Sequence, residues 1–156
     1  MLTKNDITSA VVENWLADFE QALAAPNDAG LRALFPPDCH WRDVLALTWT
    51  IQTFDGRDAV VSALEQCAAR VRPKDFRIAE NRTPPRLVTR AGTEAIEAFV
   101  AFEADGGWCN GVVRLIEDGD VPKAWTVLTA LDQIKGHEEQ FGRTRYQEKV
   151  FAPIPG

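Results

Sequence analysis

The chain has 156 residues, 46% hydrophobic and 26% charged, which is enough apolar material for one globular domain and excludes an intrinsically disordered chain. Acidic residues outnumber basic ones, 23 to 17, for a net charge of -6, and this argues against a protein that holds nucleic acid by neutralising phosphates. No apolar run approaches the roughly 20 residues of a spanning helix, and the first residues lack the apolar core of a signal peptide, so a cytoplasmic protein without a membrane partner is expected.

From residue 8 to 25, Val11, Val12, Trp15, Leu16, Phe19, Ala22 and Leu23 recur at spacings of three and four, the pattern of an amphipathic helix. Pro26-Asn27-Asp28 stops it, and Asp28 can cap a short second helix over 29–35 that ends at Pro36-Pro37. Residues 39–43 and 47–54 are rich in Thr, Trp and Ile and read as strands. A turn at 55–58 leads into a third helix with Val60, Leu64, Cys67 and Val71 on one face, closed by Pro73.

Beyond Pro73 the period falls to two. Phe76 and Ile78 alternate with polar neighbours, Leu87 and Val88 begin another strand, and Ile96, Ala98, Val100 and Phe102 mark a long one. Asp105-Gly106-Gly107 turns the chain into a return strand over 108–117, and Glu117-Asp118-Gly119-Asp120 turns it again into a last strand over 123–134. Helices first and an antiparallel meander afterwards predict an α+β fold. Residues 1–135 are read as one domain and 136–156, rich in Gly, Pro and charge, as a mobile or partner-docked tail.

Cys39, Cys67 and Cys109 are an odd number without a C-x-x-C pair and read as reduced core residues. His40 and His137, the two histidines, have no ligand spacing, so no metal site is expected.

The string Leu34-Phe35-Pro36-Pro37-Asp38-Cys39-His40-Trp41-Arg42-Asp43, followed by Gly56-Arg57-Asp58-Ala59-Val60, resembles the nuclear transport factor 2-like superfamily, where "LF-x-x-D-x-x-W-x-D" and "G-R-x-A-I/V" recur. The resemblance covers residues 8–134 and implies a strongly curved antiparallel sheet wrapped round three helices as a cone with a cavity. Two narrower resemblances lie inside it. One is to SnoaL-like cyclases and ketosteroid isomerases, which use a carboxylate in the cone on a small apolar substrate. The other, carried by His40 to Asp43, by 48–54 and by 125–139, is to the domain that precedes the flavin and NADPH modules of flavin-dependent monooxygenase-like proteins. No G-x-G-x-x-G follows a strand, so no flavin, nicotinamide or other cofactor is expected.

Asp43 is the leading catalytic candidate. Alternation along a strand puts Trp41 and Asp43 on one face and His40 and Arg42 on the other, so Asp43 goes inward with Trp41. Eight residues after Phe35, it also falls where the isomerase resemblance places the general base. An Asp in an apolar cone has its pKa raised toward neutrality by desolvation. The alternative is a strand-end Asp that accepts hydrogen bonds from the next loop. His40 is weighed as a second catalytic group, against a place on the surface or at a dimer interface.

The resemblance further implies an oxyanion-stabilising pair, and here Trp15 stands in place of a Tyr, while Gly111, beside Asn110, stands in place of an acid. Trp15, Trp41, Trp49 and Trp125, with Phe19 and Asn110, could line a pocket for a flat apolar or aromatic molecule; core packing is the alternative for the aromatics. Arg70, Arg72, Lys74 and Arg77 read as a solvated face. Two functions are expected in balance: a cofactor-free isomerase, dehydratase or cyclase using Asp43, or a non-catalytic ligand-binding or dimerisation module. A homodimer through the outer sheet face is implied in either case, and adaptor binding of protein partners is a minor third reading.

Overall fold

The computed structural model describes residues 4–25 and 27–136. Apart from Gly136, the tail read at 136–156, with His137, lies outside them. Three helices, α1 (Lys4–Ala24), α2 (Asp28–Arg32) and α3 (Arg57–Val71), pack against one face of a seven-stranded sheet: β1 (His40–Val44), β2 (Ile51–Asp55), β3 (Lys74–Ile78), β4 (Arg86–Arg90), β5 (Thr93–Ala104), β6 (Gly107–Asp118) and β7 (Val121–Ile134). Each expected element is present, with boundaries shifted by a few residues.

Helix α1 buries Val12, Trp15, Leu16, Phe19 and Leu23, the stripe read from the sequence. Pro36 and Pro37 lack the amide a helix needs, and α2 stays at five residues. Helix α3 closes on Arg72, whose φ of 46° is left-handed, and whose amide bonds to the Ala68 carbonyl.

Along the sheet the order is β2-β1-β7-β6-β5-β3, with β4 also on β5. All pairs are antiparallel except β1 and β7, which run parallel, so the sheet is mixed where the resemblance implied a purely antiparallel one. The meander from β5 to β7 makes antiparallel neighbours by hairpins. β1 docks on the free edge of β7 in the parallel sense, which the long connection through α3 and the meander permits.

Alternation decides which side chains meet the helices. Ala98, Val100 and Phe102 of β5, Cys109, Val113 and Leu115 of β6, and Ala124 and Val127 of β7 are buried on the inner face. They join Trp15, Phe19, Phe35 and Trp41 in one core. The aromatic rings fill it edge to face and stacked. Phe19 lies 4.8 Å from Trp15 and 5.2 Å from Phe76, which stacks on Phe102 at 4.6 Å, while Trp41 stacks on Phe54 at 4.9 Å. Phe102 and Trp41 are fully buried and Phe54 and Phe76 partly so; a fully buried ring of this kind contributes roughly 1.5–3 kcal/mol.

Candidate functional site

Asp43 and Trp41 both point inward from β1 and are 0% and 1% exposed. The Asp43 carboxylate accepts hydrogen bonds from the amides of Leu47 (3.1 Å) and Thr48 (2.8 Å), and from the hydroxyls of Thr48 (2.7 Å) and Thr129 (2.5 Å). The Trp41 indole in turn donates to Thr129 Oγ1 at 2.9 Å. Asp43 thus ties the loop over 45–50 to β1 and, through Thr129, to β7. That loop holds two non-glycine residues in the left-handed region, Leu45 (φ 65°) and Trp49 (φ 61°), which need such an anchor. Both carboxylate oxygens are engaged, Oδ1 by the Leu47 amide and the Thr129 hydroxyl, Oδ2 by the amides of Leu47 and Thr48 and the Thr48 hydroxyl. This is the arrangement of the loop-bonding alternative.

His40 stands on the other face, with Nδ1 2.7 Å from Asp55 Oδ1 and Nε2 3.3 Å from Asp38 Oδ1. It is half exposed and is not brought to Asp43.

The six expected pocket residues are dispersed. Trp15 donates its indole N–H to the Leu34 carbonyl at 3.2 Å and, with Phe19 and Trp41, belongs to the packed core. Trp49 is 48% exposed, its ring directly over Gly106. Asn110 lies on the outer face, between Ala101 and Ala130 in the register. Trp125 sits where the β6–β7 register shifts and borders a groove of about 390 Å³ with Pro36, Pro37 and Thr93. At Gly111 a Cβ would collide with the Leu128 carbonyl oxygen, so an acid cannot replace it without moving β7. The acid that the resemblance implies at this position is already replaced by glycine in the sequence, and the close approach of β7 leaves no room for one.

A larger pocket, about 630 Å³, opens between the start of α1 and the margin of the sheet. Ile7 and Val11 of α1 form one wall; Leu87 of β4, Ile96 of β5, Leu115 of β6 and Pro122 at the start of β7 form the other. The register explains their convergence. Leu87 pairs with Ile96, Ile96 with Leu115, and Glu117 with Pro122, so strand alternation turns all of them to one face. Thr8 fixes the helix against the sheet by donating to the Pro85 carbonyl at 3.3 Å. Glu94 and Glu117 stand on the same face at the mouth. None of the expected ligand residues lines this pocket. The sequence signal available was Ile7 and Leu87, apolar yet 52% and 42% exposed, outside the helical and strand stripes that close the core.

On the outer face, Glu97 is only 5% exposed and takes hydrogen bonds from Arg114 (2.8 Å), Arg90 (3.2 and 3.3 Å) and Arg86 (3.4 Å). Burial by itself would raise its pKa, but the Arg114 and Arg90 hydrogen bonds, with Arg86 behind them, hold it below the usual carboxylate range. The thiols are free and buried. Burial pushes Cys39 up to about 11 and Cys109 to about 12, so neither is poised as a nucleophile. Among the described residues there is no cluster of three metal-binding side chains, and no helix is long and apolar enough to cross a membrane.

No family model and no curated protein matches this sequence. Solved structures do match its fold. The chain is similar to ActVI-ORFA from Streptomyces coelicolor (17% identity, 79% of this chain and 96% of that one, TM-score 0.53). It is similar to a protein described as a candidate scytalone dehydratase from Novosphingobium aromaticivorans (14% identity, 86% and 91%, TM-score 0.58). It is also similar to a designed nuclear transport factor 2-like protein (12% identity, 76% and 95%, TM-score 0.53). Three helices against a large, curved, unclosed sheet, in this strand order, are the nuclear transport factor 2-like α+β cone fold, and this chain has it.

Proposed function

We propose that the chain is a ligand-binding module that holds a small apolar molecule in the pocket between α1 and the sheet margin. The observation that carries this reading is the pocket itself: about 630 Å³, within the range of small-molecule sites, and walled by Ile7, Val11, Leu87, Ile96, Leu115 and Pro122. Acid–base catalysis by Asp43 receives less support, because its oxygens are engaged by the loop over 45–50 and by Thr129. The neighbour described as a candidate dehydratase leaves room for chemistry on this fold, but function belongs to the site and not to the fold.

The test is binding of the neutral apolar dye Nile red, followed by fluorescence. Saturable one-to-one binding is expected, weakened at least about five-fold by Leu87→Gln, because part of an apolar wall worth about 1–2 kcal/mol is lost. Binding unaffected by Leu87→Gln but abolished by Trp41→Phe would move the ligand to the cone interior and overturn the assignment.

A second reading, association of two copies through the outer face, is favoured by Phe99, Val112 and Leu128, which lie side by side on three adjacent strands and are only partly buried. Light scattering decides it, and a monomer at high concentration would remove it.

A further inference from the structure

The arginines that Glu97 gathers on the outer face of the sheet are not electrically balanced by it. In the register Glu97 stands directly between Arg86 of β4 and Arg114 of β6, and Arg90, four residues along β4 and so on the same face as Arg86, reaches back to it. Arg114 donates to the carboxylate through Nε alone (2.8 Å), Arg90 through Nε and Nη2 (3.3 and 3.2 Å), and Arg86 through Nη2 alone (3.4 Å). Both terminal amino groups of Arg114, Nη1 of Arg90, and Nη1 and Nε of Arg86 therefore have no acceptor among the described residues. Depth separates the charges: Glu97 is buried, whereas Arg86 and Arg90 are exposed and Arg114 is half-buried. Glu97, with its lowered pKa, is ionised at neutral pH, so the group carries a surplus of two positive charges on a chain whose net charge is -6. Its neighbours on that face, Val88, Phe99, Val112 and Thr126, are uncharged. A fourth guanidinium, Arg82, lies 4.5 Å over the ring of Phe99, two residues along β5 from Glu97, and has no ion pair among the described residues.

From these contacts we infer that Arg86, Arg90 and Arg114 form a binding site for a phosphate dianion, free or as the monoester of a small molecule, with Glu97 beneath them as the strut that sets their spacing. Guanidinium forks match the paired oxygens of a phosphate, and forks already oriented by a buried carboxylate lose less side-chain freedom when an oxyanion binds. The two negative charges of the dianion neutralise the surplus of two, whereas a monocarboxylate neutralises half of it. Strand alternation puts this site on the opposite side of the sheet from Leu87 and Ile96, so it is independent of the apolar pocket.

The experiment is isothermal titration calorimetry with inorganic phosphate, phenyl phosphate and acetate, at about pH 8 and constant ionic strength, on the parent and on the single variants Arg86→Gln and Arg114→Lys. Arg86 is exposed and makes the longest of the contacts with Glu97, and Arg114→Lys keeps a cation beside Glu97 while removing the fork; thermal unfolding checks that both fold, and if Arg114→Lys does not, Arg86→Gln carries the test. The parent is expected to bind phosphate roughly ten-fold more tightly than acetate, and each variant to weaken phosphate roughly five-fold. Equal affinities for inorganic phosphate and phenyl phosphate assign the site to free phosphate, and tighter phenyl phosphate assigns it to a monoester; either outcome, with weakening by at least one variant, supports the inference. Acetate bound as tightly as phosphate, phosphate binding unchanged in every folded variant, or no binding of either phosphate would overturn it and leave the three arginines as a brace between β4, β5 and β6.

Discussion

Removal of the Asp43 carboxylate tests the role that the structure gives it. In Asp43→Ala the amides of Leu47 and Thr48 and the hydroxyl of Thr129 lose their acceptor, while Thr48 Oγ1 can still turn to the Thr50 carbonyl, 3.1 Å away. A buried donor without a partner costs about 1–3 kcal/mol. Three donors, with the half-buried Thr48 amide partly recovered by water, sum to roughly 3–5 kcal/mol, a large share of the about 5–15 kcal/mol that stabilises a domain. For a chain of this size that corresponds to a fall in Tm of roughly 10 °C or more. Asp43→Asn keeps the shape and one acceptor oxygen but turns an N–H2 group toward donors, so its loss should be smaller, about 2–3 kcal/mol. Thermal unfolding followed by Trp fluorescence measures both, and proteolysis of the loop over 45–50 reports the local effect. If Asp43→Ala melts within about 2 °C of the parent, the loop does not depend on Asp43 and the anchoring argument fails.

Two further outcomes follow from the sheet. Because Glu97 has a lowered pKa in the folded chain, its contribution to stability is present above the ordinary glutamate pKa of about 4.3 and is lost as the pH falls through the folded value. Glu97→Gln should therefore be less stable than the parent by about 1–3 kcal/mol at pH 7, with the difference narrowing below about pH 4; a pH-independent difference in urea titrations would show that the carboxylate's charge is not the cause. Gly111→Ala should cost at least about 1–3 kcal/mol, since its Cβ meets the Leu128 carbonyl and β6 and β7 must part; an urea midpoint equal to the parent's would refute the close approach.

What the sequence discloses and what it withholds divide along the distance between interacting residues. The stripes of α1 and α3 and the alternation of β5 are local, and they predict the buried faces correctly. Local alternation also puts Trp41 and Asp43 together on the inner face. It cannot say what Asp43 meets, because one of its donors, Thr129, is 86 residues away on β7. The same holds for Trp15 and Phe19, whose types suit a pocket wall or a core equally. Their edge-to-face contacts with Phe35 and Phe76, residues distant in the chain, are what place them in the packed core. The pocket mouth depends on the register of β4 against β5 and of β5 against β6, which no residue pattern specifies alone. Glu97, an acid inside an apolar alternation, is legible only once β4 and β6 bring three arginines to it.

The parallel pairing of β1 with β7 also sets an order of events during synthesis. At about 5–20 residues per second, the 86 residues that separate Asp43 from Thr129 take roughly 4–17 s to emerge from a ribosome. Throughout that interval β1 has β2 as its one strand partner, and the indole N–H of Trp41 lacks the hydroxyl to which it will donate. The β7-facing edge of β1 is thus the last of its two edges to be paired, and it is the point at which a holding chaperone, or a second nascent chain, would compete with β7.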